Sequence, residues 1–201
     1  MPDDAETARS APDKARDSDA PLTAAVHQRD VGQEAAEARG WSTAAVVGRT
    51  VTINRPRSEI YAFWRDFTNL ARFLENVDSV TTDASGRSHW TIKAPAGRTV
   101  QWDSVLTEDR PGELLAWESA PGGDINNTGR IAFRDGPPGR GCEVTATIVY
   151  EPPAGDVGKL IAKLFQKEPK MQARRDLRRL KQLMETGEIS TSRAPDAAPR
   201  A

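Results

Sequence analysis

The residues best suited to form a ligand site lie on the predicted strands in the middle of the chain. Trp90, Trp102 and Trp117 occupy matching alternate positions on three successive strands. Because alternate side chains of a strand face one side of a sheet, the three indoles should share a face. Each indole offers a broad apolar surface and one N–H donor, which suits the wall of a pocket for a flat apolar ligand. The same three residues can instead fill a closed core, and the sequence leaves both interpretations open.

Four ionisable side chains on the same strands are candidates for acid–base chemistry: His89, Asp103, Glu118 and Arg130. Inside a cavity, a histidine or a pair of carboxylates could move protons on a polyketide-like substrate. The alternation that turns the tryptophans inward, however, turns these residues outward. We therefore expect them to face solvent and to pair across strands, and we assign no catalytic residue.

The cysteine and glycine patterns do not indicate catalysis. Cys142 is the only cysteine, and it lies in phase with apolar neighbours, which predicts a small core residue. The glycine-rich segment 136–141 lacks the Lys-Ser/Thr ending of a phosphate-binding loop and predicts a hairpin loop. One cysteine and two histidines predict neither a disulfide framework nor a metal cluster, and no metal or cofactor is assigned.

Composition restricts the class of protein. The chain has 201 residues, with 28 Lys and Arg against 29 Asp and Glu, so the net charge is −1. This balance argues against a general nucleic-acid binder, which would carry a basic excess. No apolar run approaches the roughly 18 residues that a membrane-spanning helix needs. The first residues also lack the apolar segment of a secretory signal, and a cytoplasmic protein is expected.

Apolar periodicity predicts one folded domain over residues 45–189. Residues 1–44 form an acidic arm with few large apolar side chains, so we expect disorder there, with a helix around residues 24–39. Residues 190–201 predict a disordered tail. The domain reads as a strand, two short helices, about six strands, a short helix at 157–165, and a long helix that begins near Pro169 and ends at Gly187.

This order of elements predicts an α+β fold. A curved antiparallel sheet of six to seven strands should wrap around the long C-terminal helix, with two short helices after the first strand. The long helix can cover only part of such a sheet, so a hollow is expected between them. We expect the short helix to act as a movable lid over that hollow. We expect the ligand to be bound by inward apolar residues of the strands and of the short helix: Trp90, Ile92, Val100, Trp102, Leu115, Trp117, Ile131, Phe133, Leu160, Ile161 and Leu164.

Residues 46–189 resemble the START-like (SRPBCC, helix-grip) superfamily, in the branch of polyketide cyclase/dehydrase and coenzyme Q-binding Coq10-like proteins. The resemblance is carried by VTINRP at 51–56, IYAFW at 60–64, DFTNL at 66–70, SHW at 88–90, WD at 102–103 and DLRRLKQLMETGEI at 176–189. It implies a hydrophobic cavity under the C-terminal helix. It implies no universal set of catalytic residues.

The function expected from these observations is binding of a hydrophobic small molecule, such as a quinone, a lipid or a polyketide-like compound. Two alternatives stay open: a cyclase/dehydrase-type enzyme that uses the same cavity, and an interaction module with a filled core. The basic side chains of the last helices predict either weak peripheral contact with an anionic membrane or the solvated face of an amphipathic helix. The ligand, the oligomeric state and the pathway do not follow from the sequence.

Overall fold

The computed structural model describes residues 22–41, 44–94, 97–151, 155, 158 and 169–190. The strands with described bounds are β1 (Ala45–Ile53), β2 (Val77–Thr82), β3 (Ser88–Lys93), β4 (Thr99–Arg110), β5 (Leu114–Ser119), β6 (Asn126–Asp135) and β7 (Cys142–Glu151). The helices are α1 (Leu22–Glu37), α2 (Arg57–Arg65), a 3₁₀ helix (Phe67–Arg72) and α3 (Pro169–Thr186). Together they form the predicted α+β helix-grip fold.

The described strands form one antiparallel sheet in the order β1-β7-β6-β5-β4-β3-β2. Alternation along each strand gives the sheet its apolar inner face. In β7, Cys142 and Val144 are fully buried, whereas Glu143 and Thr145 between them are partly exposed. Strands β2 to β7 follow one another as a meander, and β1 joins at the far side, beside β7.

Two short helices close one end of the sheet. Pro56 precedes α2, where its fixed φ suits the start of a helix, and the apolar spacing of α2 buries Ile60 and Trp64. The 3₁₀ helix then brings Phe67 onto the inner face of the sheet, where its ring centroid lies 5.8 Å from that of Trp90 and 5.9 Å from that of Trp117. The two helices therefore position aromatic side chains over the centre of the sheet.

The 3₁₀ helix depends on its N-terminal cap. Asp66 Oδ1 accepts hydrogen bonds from the Thr68 backbone N at 3.1 Å and from Thr68 Oγ1 at 2.6 Å. We expect Asp66→Ala to lower the free energy of unfolding by about 1 kcal/mol, because the helix start then loses its acceptor. Asp66→Asn keeps an oxygen there and should cost much less. Denaturant unfolding of both variants checks this, and equal losses would contradict it.

Helix α3 packs an apolar stripe against the sheet. Leu177, Leu180 and Met184 recur at intervals of three and four and are all buried. The described part of the helix runs from Pro169 to Thr186. Gly187 follows it, and its positive φ of 79° and its N–H bond to the Leu183 carbonyl form a C-terminal cap. The predicted short helix at 157–165 lies outside the described residues, apart from residue 158.

Polar side chains attach the C-terminal part of α3 to β1, to the segment after β1 and to the end of the 3₁₀ helix. Lys181 Nζ donates to the Thr52 carbonyl at 2.6 Å, and Arg55 Nε donates to the Met184 carbonyl at 2.7 Å. Arg179 Nε donates to the Phe73 carbonyl at 2.9 Å. Basic side chains of this helix thus serve as attachments within the domain.

Helix α1 lies within the arm that the sequence predicts to be disordered. It matches the helix expected around residues 24–39, and it packs on the sheet because Gly32 permits close approach: a Cβ there would lie 2.3 Å from Val46 Cγ1. An ion pair of 3.0 Å between Arg39 and Glu118 joins the segment after α1 to β5. The predicted disorder of residues 1–21 and 191–201 falls outside the described residues.

Candidate functional site

A cavity of about 180 Å³ lies between the inner face of the sheet and α3. Its wall is almost entirely apolar and includes residues from the sheet, from α2, from the 3₁₀ helix and from α3: Val47, Trp64, Leu70, Val77, Ile125, Ala146, Ala173 and Leu177. A cavity of roughly 150 Å³ is known to bind benzene in another protein. The space therefore suits a compound of one or two rings, or the apolar end of a longer molecule.

Indole rings form one wall of the cavity. Trp90 and Trp102 stand directly opposite each other on β3 and β4, and their rings stack with centroids 5.6 Å apart at an interplanar angle of 10°. Each Nε1 donates a 3.0 Å hydrogen bond to a serine of its own strand: Trp90 to Ser88 Oγ, and Trp102 to Ser104 Oγ. Because these N–H groups are already satisfied, both indoles present mainly their apolar rings to the cavity.

The structure brings five of the predicted ligand-binding residues together in the cavity wall: Trp90, Ile92, Trp102, Trp117 and Ile131. It places Val100, Leu115 and Phe133 elsewhere in the core. Strand alternation gives these three the correct face, but packing covers their part of the sheet; Phe133, for example, contacts the Tyr61 ring of α2 edge-on at 5.8 Å. The predicted roof residues Leu160, Ile161 and Leu164 lie outside the described residues.

Four polar residues of the cavity wall were not predicted: Asn76, Asn127, Gln172 and Asp176. Asn127 shares strand alternation with Ile131 and Phe133, so the same pattern that selected those residues could have found it. Asp176 precedes Leu177 in the apolar stripe of α3, which is a weaker indication because neighbouring positions on a helix diverge by about 100°.

Asp176 is held in place by its hydrogen bonds. Its Oδ1 accepts from Gln172 Nε2 at 3.0 Å and from the Glu75 backbone N at 3.3 Å. Burial raises the pKa of the Asp176 carboxyl to about 6, and the nearby charge of Glu75 adds to this effect. The two hydrogen bonds and the Arg179 charge act in the opposite direction without cancelling it.

Two buried N–H groups in the cavity wall have no hydrogen-bond partner in the part of the chain that the structure describes: Asn127 Nδ2 and Trp64 Nε1. These residues are only 6% and 4% exposed, respectively. A buried donor without a partner costs about 1–3 kcal/mol, so such groups call for an explanation, and an oxygen-bearing occupant is one.

The four ionisable candidates face away from the cavity, as predicted. His89 Nδ1 lies 2.7 Å from Asp103 Oδ1 on the neighbouring strand, and these side chains are 49% and 39% exposed. Glu118 pairs with Arg39, and Arg130 is exposed. Cys142 is fully buried, and burial raises the pKa of its thiol to about 11, as suits a core residue. Among the described side chains, no three His, Cys, Asp or Glu residues form a group that could hold a metal ion.

The curved sheet, the C-terminal helix and the apolar cavity between them define a START-like helix-grip protein with a hydrophobic ligand-binding fold. The chain belongs to the family described as polyketide cyclase / dehydrase and lipid transport, whose model matches residues 44–185. No curated protein matches the chain. Over the described residues, no helix combines the length and the apolar character that crossing a membrane requires.

Solved structures with the same fold include proteins of three bacteria. The chain is 39% identical to DR_A0006 of Deinococcus radiodurans, over 72% of this chain and 99% of that one, with a TM-score of 0.59. TTHA0849 of Thermus thermophilus is 26% identical over 67% and 92% of the two chains, with a TM-score of 0.54. The Zhui aromatase/cyclase of a Streptomyces species is 13% identical over 73% and 99%, with a TM-score of 0.53, and this likeness concerns the fold.

Proposed function

We propose that the protein binds an apolar small molecule of the quinone, lipid or polyketide-like class in the cavity between the sheet and α3. The observation that carries the proposal is the indole-walled space of about 180 Å³. Transfer of apolar surface out of water stabilises a complex by roughly 25 cal/mol per Å², and small-molecule sites are typically concave and mostly apolar. The interaction-module alternative requires a filled core, and this space argues against it.

A cyclase/dehydrase-type reaction is the second candidate, and Asp176 is the observation that favours it. Its carboxyl has a pKa of about 6 and lines the cavity, so it could exchange a proton with a bound carbonyl compound. The family description and the naming of Zhui as an aromatase/cyclase support this candidate. Binding without reaction remains our preferred proposal, because the other ionisable candidates face solvent.

An apolar fluorescent probe tests the binding proposal. The probe should bind the wild-type protein with quenching of tryptophan emission, and Trp102→Ala should weaken binding because it removes one of the stacked rings from the wall. Since Trp102 lines the cavity, the variant should lose less than the roughly 3–5 kcal/mol typical of a close-packed tryptophan. Titration and denaturant unfolding of the same samples provide both measurements.

Asp103→Ala is the matched control, since it alters the adjacent residue on the outer face. It should leave probe affinity unchanged and alter the free energy of unfolding by no more than about 1 kcal/mol. If Trp102→Ala lost the full stability of a core tryptophan while probe binding stayed the same, Trp102 would be a core residue and the proposed site would be wrong.

We also propose that basic side chains of α3 assist weak peripheral contact with an anionic membrane. The exposed Arg178 is available for it, whereas Arg175 lies 3.4 Å from Glu75. Vesicles that contain anionic lipid should bind the protein at low salt and release it as salt screens the charges, and neutral vesicles should not bind. Equal binding to both kinds of vesicle, or to neither, would remove the electrostatic contribution.

A further inference from the structure

The polar residues of the cavity wall restrict which ligand groups can bind, which the apolar residues do not. Among the wall residues that the structure describes, Asp176 is the only one with a carboxylate. We infer that Asp176 is the polar anchor of the cavity and that it selects an apolar ring compound carrying a hydroxyl group over the same ring with an ether or a carboxylate. The inference rests on the proposed function, because it specifies what the apolar cavity accepts.

The hydrogen bonds of Asp176 leave one oxygen for a ligand. Gln172 and the Glu75 backbone both donate to Oδ1, and they fix the carboxylate against α3 and the start of β2. With the residues that the structure describes, Oδ2 makes no hydrogen bond. A carboxylate oxygen only accepts when ionised, so the ligand group that complements it is a donor, and a hydroxyl is the donor that an otherwise apolar ring compound carries at least cost in desolvation.

The carboxylate of Asp176 itself disfavours an anionic ligand. Glu75 lies on the connection before β2, next to Asp176, and its carboxylate is engaged by Arg175 at 3.4 Å. Arg179 directs its Nε to the Phe73 carbonyl. Arg175 thus balances the charge of Glu75, whereas Arg179 keeps its positive charge and lowers the pKa of Asp176 without forming an ion pair with it. A ligand carboxylate brought to Oδ2 would place two carboxylate oxygens in contact with no proton between them, which is unfavourable.

An independent observation supports an oxygen-bearing ligand. The Asn127 amide, on β6, lines the same cavity and is 6% exposed, yet its Nδ2 has no partner among the described residues. A wholly hydrocarbon ligand would leave that donor as it is, whereas a ligand with an oxygen function gives it an acceptor. The acceptor Asp176 Oδ2 and the donor Asn127 Nδ2 thus both favour a neutral ligand that carries oxygen.

Three probes with one ring skeleton test the inference: 2-naphthol, 2-methoxynaphthalene and 2-naphthoate. Tryptophan quenching is titrated at about pH 7.5, where the Asp176 carboxyl is mostly ionised. The wild-type protein should bind 2-naphthol about tenfold more tightly than the ether, as expected for one hydrogen bond to a charged group, and 2-naphthoate should bind most weakly. In Asp176→Asn the preference for the naphthol over the ether should shrink to about threefold or less, and 2-naphthoate should gain affinity.

Glu75→Gln is the matched control, because it removes the neighbouring charge and keeps the anchor; the preference for the naphthol should survive in it. Equal binding of 2-naphthol and 2-methoxynaphthalene to the wild type, or an unchanged preference in Asp176→Asn, would overturn the anchor and leave the binding proposal standing. Tight binding of 2-naphthoate to the wild type would also overturn the anchor. If none of the three probes bound, the proposed function itself would be wrong.

Discussion

Replacing Gly129 by alanine should both destabilise the protein and abolish most probe binding. Gly129 on β6 stands directly opposite Trp117 on β5, and the indole lies over the glycine. A Cβ at this position would lie 2.0 Å from Trp117 Cζ2 and 2.4 Å from Cε2, so the ring must move. An aromatic side chain that covers a glycine on the next strand is a known way of stabilising sheets. The substitution removes that arrangement and displaces a wall of the cavity.

The expected loss in the free energy of unfolding is about 1–3 kcal/mol, the usual cost of overpacking a core. Denaturant unfolding measures this loss, and titration with the apolar probe measures the change in binding. Arg130→Ala is the control on the same strand: Arg130 is exposed, so its removal should change stability by no more than about 0.5 kcal/mol and leave binding intact. Wild-type stability and binding in Gly129→Ala would contradict the arrangement of Trp117 described above.

Asp176→Asn should make the protein more stable at neutral pH, by on the order of 1–3 kcal/mol. Burial raises the pKa of the Asp176 carboxyl from 3.8 to about 6 on folding, so the folded protein holds this proton more tightly than the unfolded chain does. Ionised Asp176 is therefore unfavourable to the folded state. The amide has almost the same shape, can accept the two hydrogen bonds made to Oδ1, and carries no charge.

The stability advantage of Asp176→Asn over the wild type should decrease as the pH falls. As pH falls through about 6 towards about 4, wild-type Asp176 takes up a proton and the wild type recovers its lost stability. The advantage of Asp176→Asn should thus be fully present above about pH 7 and should disappear near pH 4. Thermal unfolding of both proteins across this range measures the difference. An advantage that stayed constant with pH, or that grew on acidification, would show that the carboxyl does not titrate as described.

Strand alternation predicted which face of the sheet a residue occupies. It placed the indoles of Trp90 and Trp102 on the inner face, and it placed His89 and Asp103 on the outer face, because both follow from the two-residue period of a strand. The end of α3 before Gly187 was equally local, because a glycine after an apolar helical stripe is itself a stop signal, and its φ is positive in the structure.

The position of a residue along a strand could not be predicted in this way. Phe133 has the correct face, yet Tyr61 of α2 covers it, and only the tertiary packing of α2 decides this. The environment of Asp176 depends on Glu75, about a hundred residues earlier, whose backbone N–H it accepts. Strand alternation also places Asn127 on the inner face, but it was missed because only apolar residues were considered for the wall.

The pairing of the first strand with the last also determines how the domain can be assembled during synthesis. Among the described strands, β2 to β7 each pair with a strand adjacent in sequence, whereas β1 pairs with β7, with Ala45 opposite Tyr150 and Ile53 opposite Cys142. Non-local pairings form slowly, because a long loop must close before any contact compensates for the lost entropy. A chain emerging from the ribosome therefore carries β1 unpaired until Cys142–Glu151 has been made. The local hairpins can form first, and the docking of β1 completes the sheet last.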